Sequence, residues 1–89
     1  MPSITAQISL YPLGTDDISS KIHHFADKLI EQGLIVRVGP MSSHIEGDSE
    51  LLFDALRLAF EEIAVSGEVV LTATFSNACP VWFEPKEDN

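Results

Sequence analysis

The sequence predicts an α+β domain in which two helices cover one face of a four-stranded antiparallel sheet. Three observations support this prediction. Apolar and polar residues alternate near both ends of the chain, two segments between them carry apolar residues at helical spacing, and a tight Gly-Pro turn joins two short strands in the middle. The elements therefore follow one another in the order β-α-β-β-α-β.

The first strand is predicted in residues 3–11, where every second residue from Ile4 to Leu10 is apolar and Pro12 then ends the strand. The first helix follows and ends at Gly33, a residue that favours the left-handed turn after a helix. We expect its first turn to be capped by three polar residues, Thr15, Asp16 and Asp17. Its predicted inward stripe consists of Ile18, Ile22, Phe25, Ala26, Leu29 and Ile30.

The middle of the chain predicts a hairpin with strands in residues 34–38 and 41–46, joined through Gly39-Pro40. A turn at Gly47-Asp48-Ser49 then leads into a second helix over residues 49–65. The predicted inward stripe of that helix consists of Leu52, Phe53, Leu56, Ala59, Phe60 and Ile63.

Residues 68–76 form the predicted last strand, which again alternates apolar and polar residues. Because right-handed crossovers send both helices to one side of the sheet, this order of elements is that of the ferredoxin-like fold. The single domain covers residues 1–80. A C-terminal tail, residues 81–89, is expected to be partly docked through Trp82 and Phe83.

Composition and charge restrict the partners of the chain. Fourteen acidic against five basic residues give a net charge of −9, which repels nucleic acids and anionic membranes. The first residues resemble no signal peptide, so we expect a cytoplasmic protein, and Cys79, the single cysteine, cannot form an internal disulfide. A chain of only 89 residues has a thin core, which favours a homo-oligomer, either a dimer or a tetramer.

Two surfaces need an explanation. On the second helix, Leu51, Leu58 and Val65 recur every seven residues opposite the inward stripe, which favours a subunit contact or a dock for the tail over scattered surface residues. On the sheet, we expect Ile8, Val36, Val38, Ile45 and Leu71 to point to the core. The face without helices would then carry Thr5, Gln7, Ser9, Tyr11, Arg37, Ser42, His44, Glu46, Thr72, Thr74 and Ser76.

An ordinary solvated sheet face has a similar composition, and Thr is simply a good strand former. Taken together, however, these neutral donors and acceptors suit a polar heteroaromatic ligand that is trapped against a second subunit. Tyr11 and His44 can stack or hydrogen-bond, and Glu46 can pair with a cation.

Three motifs are spaced along residues 3–80. They are Ser9-Leu10-Tyr11-Pro12, then Val38-Gly39-Pro40-Met41 with Ile45-Glu46-Gly47-Asp48, and finally Thr74-Phe75-Ser76 through Cys79-Pro80. In order and spacing they resemble the thiamine- and hydroxymethylpyrimidine-binding (YkoF-like) protein family. Members of this family are ferredoxin-like modules that form dimers and tetramers or occur as tandem repeats.

The resemblance implies binding of thiamine or its hydroxymethylpyrimidine moiety without chemical conversion, as a carrier, store or sensor, in a pocket near a subunit interface. It implies no cofactor besides that ligand. The motif positions carried over as ligand-binding are Ser9, Tyr11, Glu46, Thr74, Ser76 and Asn77. The argument from the sheet face adds Gln7, Arg37 and His44. Arg37 would repel a thiazolium cation unless an acid such as Glu46 neutralises it.

Catalytic and metal-binding interpretations find less support. His23 and His24 point about 100° apart on the first helix. This leaves His23 with Asp27 as the only helical pair, which is typical of a solvated face. Cys79 has no recognisable base beside it. We therefore expect no metal site and no enzymatic activity.

Two other functions of this fold conflict with the charge. The loop at residues 12–17 is acidic where an acylphosphatase-like hydrolase would bind phosphate. An RNA-binding sheet would need several stacked aromatic residues and a basic surround. The alternative that remains is an ACT-like regulatory or assembly module, which resembles amino-acid-sensing domains and acts through protein contacts.

Overall fold

The computed structural model describes residues 2–39 and 42–78 and confirms the predicted ferredoxin-like fold class. Pro40 of the predicted turn, Met41 at the start of the predicted second hairpin strand, Cys79, and the tail at 81–89 lie outside the described residues. The elements are β1 (Ser3–Pro12), α1 (Ile18–Glu31), β2 (Ile35–Val38), β3 (Ser43–Asp48), α2 (Ser49–Val65) and β4 (Val69–Ser76).

All four strands form one antiparallel sheet in the order β2-β3-β1-β4. The two central strands, β1 and β3, set the register of the whole sheet. Gln7 of β1 lies opposite His44 on one side and Thr74 on the other, and Thr5 lies opposite Glu46 and Ser76. Both helices pack on the other face and contact each other.

The core lies between this sheet and the two helices. Its largest fully buried side chains are Leu29, Ile45 and Leu52, which come from α1, β3 and α2 respectively. The predicted alternation of β1 is confirmed, since every second residue from Ile4 to Leu10 is buried. No helix among the described residues is long and apolar enough to span a membrane.

Four residues that were predicted to face the core are exposed instead. Ile18 and Ile30 lie at the two ends of α1, and Ile30 points about 100° away from the buried Leu29. Phe53 is likewise one residue beyond Leu52, and Ala55 takes its predicted place in the buried stripe. Val38 is the last residue of the edge strand β2, where the helices no longer cover the sheet.

The predicted outer stripe of α2 is wrong for Leu51. That side chain is half-buried and packs against the core, and one of its methyl groups lies 3.6 Å from the position that a Cβ on Gly33 would occupy. Leu58 and Val65 are exposed, as predicted. The three residues therefore do not form one continuous surface.

The boundaries of β3 differ from the predicted residues 41–46. The strand begins at Ser43 and continues through Gly47 and Asp48, which pair with Ile4 and Ser3 rather than forming a turn. A Cβ on Gly47 would lie 2.5 Å from a methyl carbon of Leu34, so any side chain at this position of the strand would force the buried Leu34 to shift.

The two helices begin differently. The Asp48 side chain accepts hydrogen bonds from the backbone N–H groups of Glu50 and Leu51, at 3.2 and 3.4 Å. Asp17 occupies the same position before α1 but makes no side-chain cap, contrary to the prediction, and its own N–H donates to the Thr15 hydroxyl. Only α2 therefore begins with a side-chain cap.

The end of α1 is a Schellman motif, as the position of Gly33 predicts. Gly33 has a φ of +101° and donates its N–H to the carbonyl of Ile30. The next residue, Leu34, donates to the carbonyl of Leu29 and buries its side chain. This turn directs the chain into β2.

Candidate functional site

The helix-free face of the sheet brings several of the predicted ligand-binding residues together in two rows. The first row runs across the sheet through Arg37, His44, Gln7 and Thr74, and the second through Ile35, Glu46, Thr5 and Ser76. Adjacent rows on one face are about 7 Å apart. Gln7, Arg37, His44, Glu46, Thr74 and Ser76 therefore lie in one continuous patch of the sheet face, and we call these two rows the polar floor.

Tyr11, Ser9 and Asn77 lie outside the polar floor. Ser9 is in the next row, opposite Thr72, and Tyr11 is in the row after that, opposite Val70. Tyr11 is six residues along β1 from Thr5, which corresponds to about 20 Å. Asn77 is exposed and follows the last residue of β4. A small ligand that contacts Glu46 therefore cannot reach Tyr11 of the same chain.

Glu46 is the most unusual residue of the polar floor. Its exposed fraction is only 9%, and its Oε1 atom is buried without a hydrogen-bond partner in the part of the chain that the structure describes. Most buried polar atoms in proteins are hydrogen-bonded, because desolvating an unpaired one costs free energy. An acceptor oxygen is thus held out of water at the centre of a polar surface.

Thr5 is the second buried polar residue of the polar floor, with an exposed fraction of 6%. It lies directly opposite Glu46 across the β1–β3 pair. The alternation of β1 placed Thr5 on this face, but nothing in the sequence indicated its burial. Ile35 adds an exposed apolar side chain to the same row, and the alternation of β2 through Arg37 indicates this position.

Two hydrogen bonds orient side chains at the margins of the polar floor. The Gln7 amide donates from Nε2 to the Ser42 hydroxyl over 3.3 Å. The Ser76 hydroxyl accepts from the backbone N–H of Ala78 over 3.0 Å, which tightens the chain just after β4. Gln7 is positioned toward the β2–β3 hairpin, whereas Ser76 already has a local structural role.

A cavity of about 60 Å³ lies on the opposite side of the sheet, between α1 and the strands β1 to β3. Most of its lining is apolar and includes Ile22, Phe25, Leu29 and Val36. Ser9 is the only predicted site residue that contributes to it. The cavity is therefore a separate feature from the polar floor.

A cluster of charges joins the outer faces of the two helices. His24 Nε2 lies 2.8 Å from Glu62 Oε2, and Lys28 Nζ lies 3.4 Å from the other oxygen of that carboxylate. The hydrogen bond from His24 holds the pKa of the Glu62 carboxyl below its ordinary value of 4.5, and Lys28 adds to this effect. The hydrogen bond to Glu62, with the charge of Glu31, raises the pKa of Lys28.

This cluster differs from the predicted pair of His23 with Asp27. His23 Nδ1 instead lies 2.8 Å from the backbone carbonyl oxygen of Ser19, one turn earlier in α1. The spacing within one helix could not indicate that His24 reaches across to α2. Within residues 2–39 and 42–78, no three His, Cys, Asp or Glu side chains come together as a metal site.

Comparisons with known proteins agree with this architecture. The model of the YkoF-related family matches residues 3–81 of the chain. A hypothetical protein from Methanocaldococcus jannascii superposes with a TM-score of 0.78 at 21% identity. The superposition covers 100% of this chain and 87% of that protein's chain. No curated protein matches the chain in sequence.

Two further solved structures have TM-scores of 0.73 and identities of 22%. One is a candidate thiamine biosynthesis/salvage protein from Thermotoga maritima, with 83% of this chain and 82% of that chain covered. The other is a domain of unknown function, DUF77, from Bacillus cereus, with 92% and 84% covered. At these identities the likeness shows the shared fold.

Proposed function

Because the chain belongs to the YkoF-related family, we propose that it binds thiamine or its hydroxymethylpyrimidine moiety without converting it. The similar structure from Thermotoga maritima, described as a candidate thiamine biosynthesis/salvage protein, supports this choice of ligand. The proposed site is the polar floor, and the proposed role is that of a carrier, store or sensor in the cytoplasm.

The observation that carries the proposal is the unpartnered Oε1 atom of Glu46. A carboxylate oxygen can only accept hydrogen bonds while it is ionised, so its missing partner must be a donor or a cation. The amino group of the pyrimidine supplies N–H donors, and the thiazolium of thiamine supplies a positive charge. An anionic ligand would instead be repelled by this carboxylate and by the net charge of −9.

The neighbours of Glu46 suit the rest of such a ligand. Gln7, His44 and Thr74 lie in the adjacent row and can donate or accept hydrogen bonds at the edges of the ring. Arg37 lies opposite His44 and adds a positively charged side chain to the polar floor, besides the thiazolium cation that thiamine would bring. Its position favours the uncharged pyrimidine over the thiazolium at that end, so we place the pyrimidine ring nearest to Arg37.

A second copy of the chain completes the site in this proposal. Gln7, Arg37 and Thr74 are exposed, so one chain covers only one side of a bound ligand. Small-molecule sites usually bury most of their ligand. A homo-oligomer, a dimer or a tetramer, that stacks two floors would enclose the ligand. Tyr11 would then reach it only from the partner copy.

Isothermal titration calorimetry with thiamine, hydroxymethylpyrimidine and thiamine phosphate tests the proposal. We expect saturable binding of at least one of the first two ligands, and weaker binding of thiamine phosphate because its phosphate is repelled. The Glu46→Leu variant should lose this binding, whereas Glu68→Leu, an exposed acid just before β4, should retain it. Absence of heat with both unphosphorylated ligands would contradict the proposal and favour a module that acts through protein contacts.

A further inference from the structure

We propose that the C-terminal segment of the same chain, residues 79–89, folds back over the polar floor and covers Thr5 and Glu46 while no ligand is bound. The segment starts at the edge of the polar floor, because Ser76, the last residue of β4, lies directly opposite Thr5. The docking itself needs no ligand. Only the competition between the segment and a ligand rests on the function proposed above.

Thr5 and Glu46 are buried on a face of the sheet that carries no helix. Their exposed fractions are 6% and 9%, whereas both helices pack on the opposite face. Strand packing alone does not explain this burial, since Gln7 is exposed although it lies on the same strand between β3 and β4. Its neighbour Thr74 is exposed as well. A further part of the chain therefore covers the row that contains Thr5 and Glu46.

The cover over Glu46 has an apolar character. Oε1 of Glu46 is shielded from water and has no hydrogen-bond partner among residues 2–39 and 42–78. A large apolar side chain excludes water in this way without donating a hydrogen bond. Val81, Trp82 and Phe83 form the apolar stretch of the C-terminal segment, and aromatic rings cover the largest area for each residue.

The other stretches outside the described residues are poorly placed to cover this row. Met41 is five residues from Glu46 along β3, which corresponds to about 17 Å. The N-terminal end is fixed at the start of α2, where the Pro2 carbonyl accepts a hydrogen bond from the Ser49 N–H over 2.8 Å. The segment 79–89 is therefore the best-placed occupant.

The segment is also long enough to reach Glu46. Glu46 lies two strands away from Ser76, which is about 10 Å across the sheet. Trp82 follows Ser76 by six residues and can be up to about 20 Å from it. The Ala78 N–H donates to the Ser76 hydroxyl over 3.0 Å, which begins a turn just before the segment. The spare length allows this turn to direct the chain back over the sheet.

Charge complementarity favours the same placement. The segment carries three acidic residues and one lysine, in the run Glu84, Lys86, Glu87 and Asp88. Arg37 is the only lysine or arginine of the polar floor, one strand and one row from Glu46, or about 8 Å. With Trp82 above Glu46, Glu84 lies two residues further along the segment, about 7 Å away. Its carboxylate can then pair with Arg37.

Two exposed apolar surfaces are less suitable for the segment. The rings of Phe53 and Phe75 lie 4.8 Å apart near the end of β4, but they remain 50% and 42% exposed. Leu58 and Val65 on the outer side of α2 are 43% and 87% exposed. These exposures show that neither surface is covered, in contrast to the row of Thr5 and Glu46.

Acrylamide quenching of fluorescence tests the docking in the ligand-free full chain, because Trp82 is the only tryptophan. We expect weaker quenching than in a peptide of residues 79–89, and no dependence on protein concentration. Arg37→Glu should increase the quenching by shifting the docking equilibrium about fivefold toward the undocked form. The matched control Arg57→Glu changes an exposed arginine of α2 that pairs with Glu61, and should leave the quenching unchanged.

Several results would overturn the docking. Quenching as strong as in the peptide would show an undocked segment, and equal quenching in Arg37→Glu and the wild type would remove the contact from the polar floor. Quenching that weakens with rising protein concentration would assign the segment to a neighbouring copy. Stronger quenching in Leu58→Glu or Phe75→Ser, but not in Arg37→Glu, would assign it to the side of the helices.

Amide NMR spectra locate the contact without any substitution in the folded domain. The ¹⁵N-labelled wild type is compared with Trp82→Ser, which removes the ring and its effect on the resonances of nearby nuclei. We expect the largest shift changes at Thr5 and Glu46. The largest changes at Phe53 and Phe75, or none within β1 and β3, would contradict the docking.

Calorimetric titration of hydroxymethylpyrimidine tests the competition separately. A site that is available for only part of the time has a proportionally weaker apparent affinity, so Trp82→Ser should bind about tenfold more tightly if the segment is docked about nine-tenths of the time. The ligand should also increase the quenching of Trp82 in the wild type. Equal or weaker binding by Trp82→Ser would overturn the competition. Absence of heat with both proteins would contradict the ligand assignment alone, because the docking is measured without ligand.

Discussion

Replacing Glu46 by leucine should make the protein more stable while removing its ligand binding. Oε1 of Glu46 is buried without a partner among the described residues. Leaving such a group unsatisfied costs about 1–3 kcal/mol, and replacing it with an apolar group of similar size removes that cost. The apolar neighbour Ile35 lies directly opposite and can contact the new side chain. We therefore expect the free energy of unfolding to rise by about 1–3 kcal/mol.

Thermal and urea unfolding of the ligand-free protein measure this change. For a domain of this size, 1 kcal/mol shifts Tm by about 4–8 °C. All samples should have the same protein concentration, since self-association also changes Tm. Glu68→Leu is the matched control, because its exposed carboxylate lies outside the sheet and its loss should change stability little. A lower Tm for Glu46→Leu would show that the carboxylate holds the fold together, and would refute our account of Glu46 as a ligand anchor.

Three further predictions concern the fold. Gly47→Ala should destabilise the chain by about 1–3 kcal/mol in urea unfolding, because the new methyl group would clash with Leu34. The same substitution should cost less in a Leu34→Ala background. If the free-energy changes of the two substitutions simply add, the clash is contradicted. Asp48→Ala should cost about 0.5–2 kcal/mol as a lost helix cap, whereas Asp17→Ala should cost less because Asp17 makes no side-chain cap; equal losses would refute this distinction. The lowered pKa of Glu62 means that its stabilising contribution is present above pH 4.5 and is lost as the pH falls further. The urea midpoint of Glu62→Gln should therefore fall less than that of the wild type when the pH is lowered from neutral to below 4, and identical decreases would exclude the pair with His24.

The order of elements could be predicted because local patterns determine it. Alternation in β1 and β4, helical spacing in both helices, and Gly33 at the end of α1 are each visible within ten to fifteen residues. The errors came from tertiary context. Phe53 fits the helical stripe of α2 but lies beside β4, where it meets Phe75 instead of the core. Gly47 has the composition of a turn but pairs with Ile4 in β3, at a position where a side chain would meet Leu34.

The polar floor could be predicted as a set of residues, but not as a site. Alternation assigned Gln7, His44 and Glu46 to one face, and the pairing register then brought them into adjacent rows. The burial of Glu46 and Thr5 depends on contacts from other parts of the chain, which one strand's sequence does not contain. The distance of Tyr11 from the Glu46 row likewise depends on register. Charge clusters between helices, such as His24 with Glu62, are also invisible to a pattern within one helix.

The central claim is that the polar floor binds an aminopyrimidine through Glu46. Titrating hydroxymethylpyrimidine into the ¹⁵N-labelled protein while recording amide NMR spectra tests it most directly. The account predicts saturable shifts centred on Thr5, Gln7, His44 and Glu46, and their loss in Glu46→Leu. Saturable shifts confined to α1 and the cavity behind it, around Ile22 and Phe25, would contradict the account.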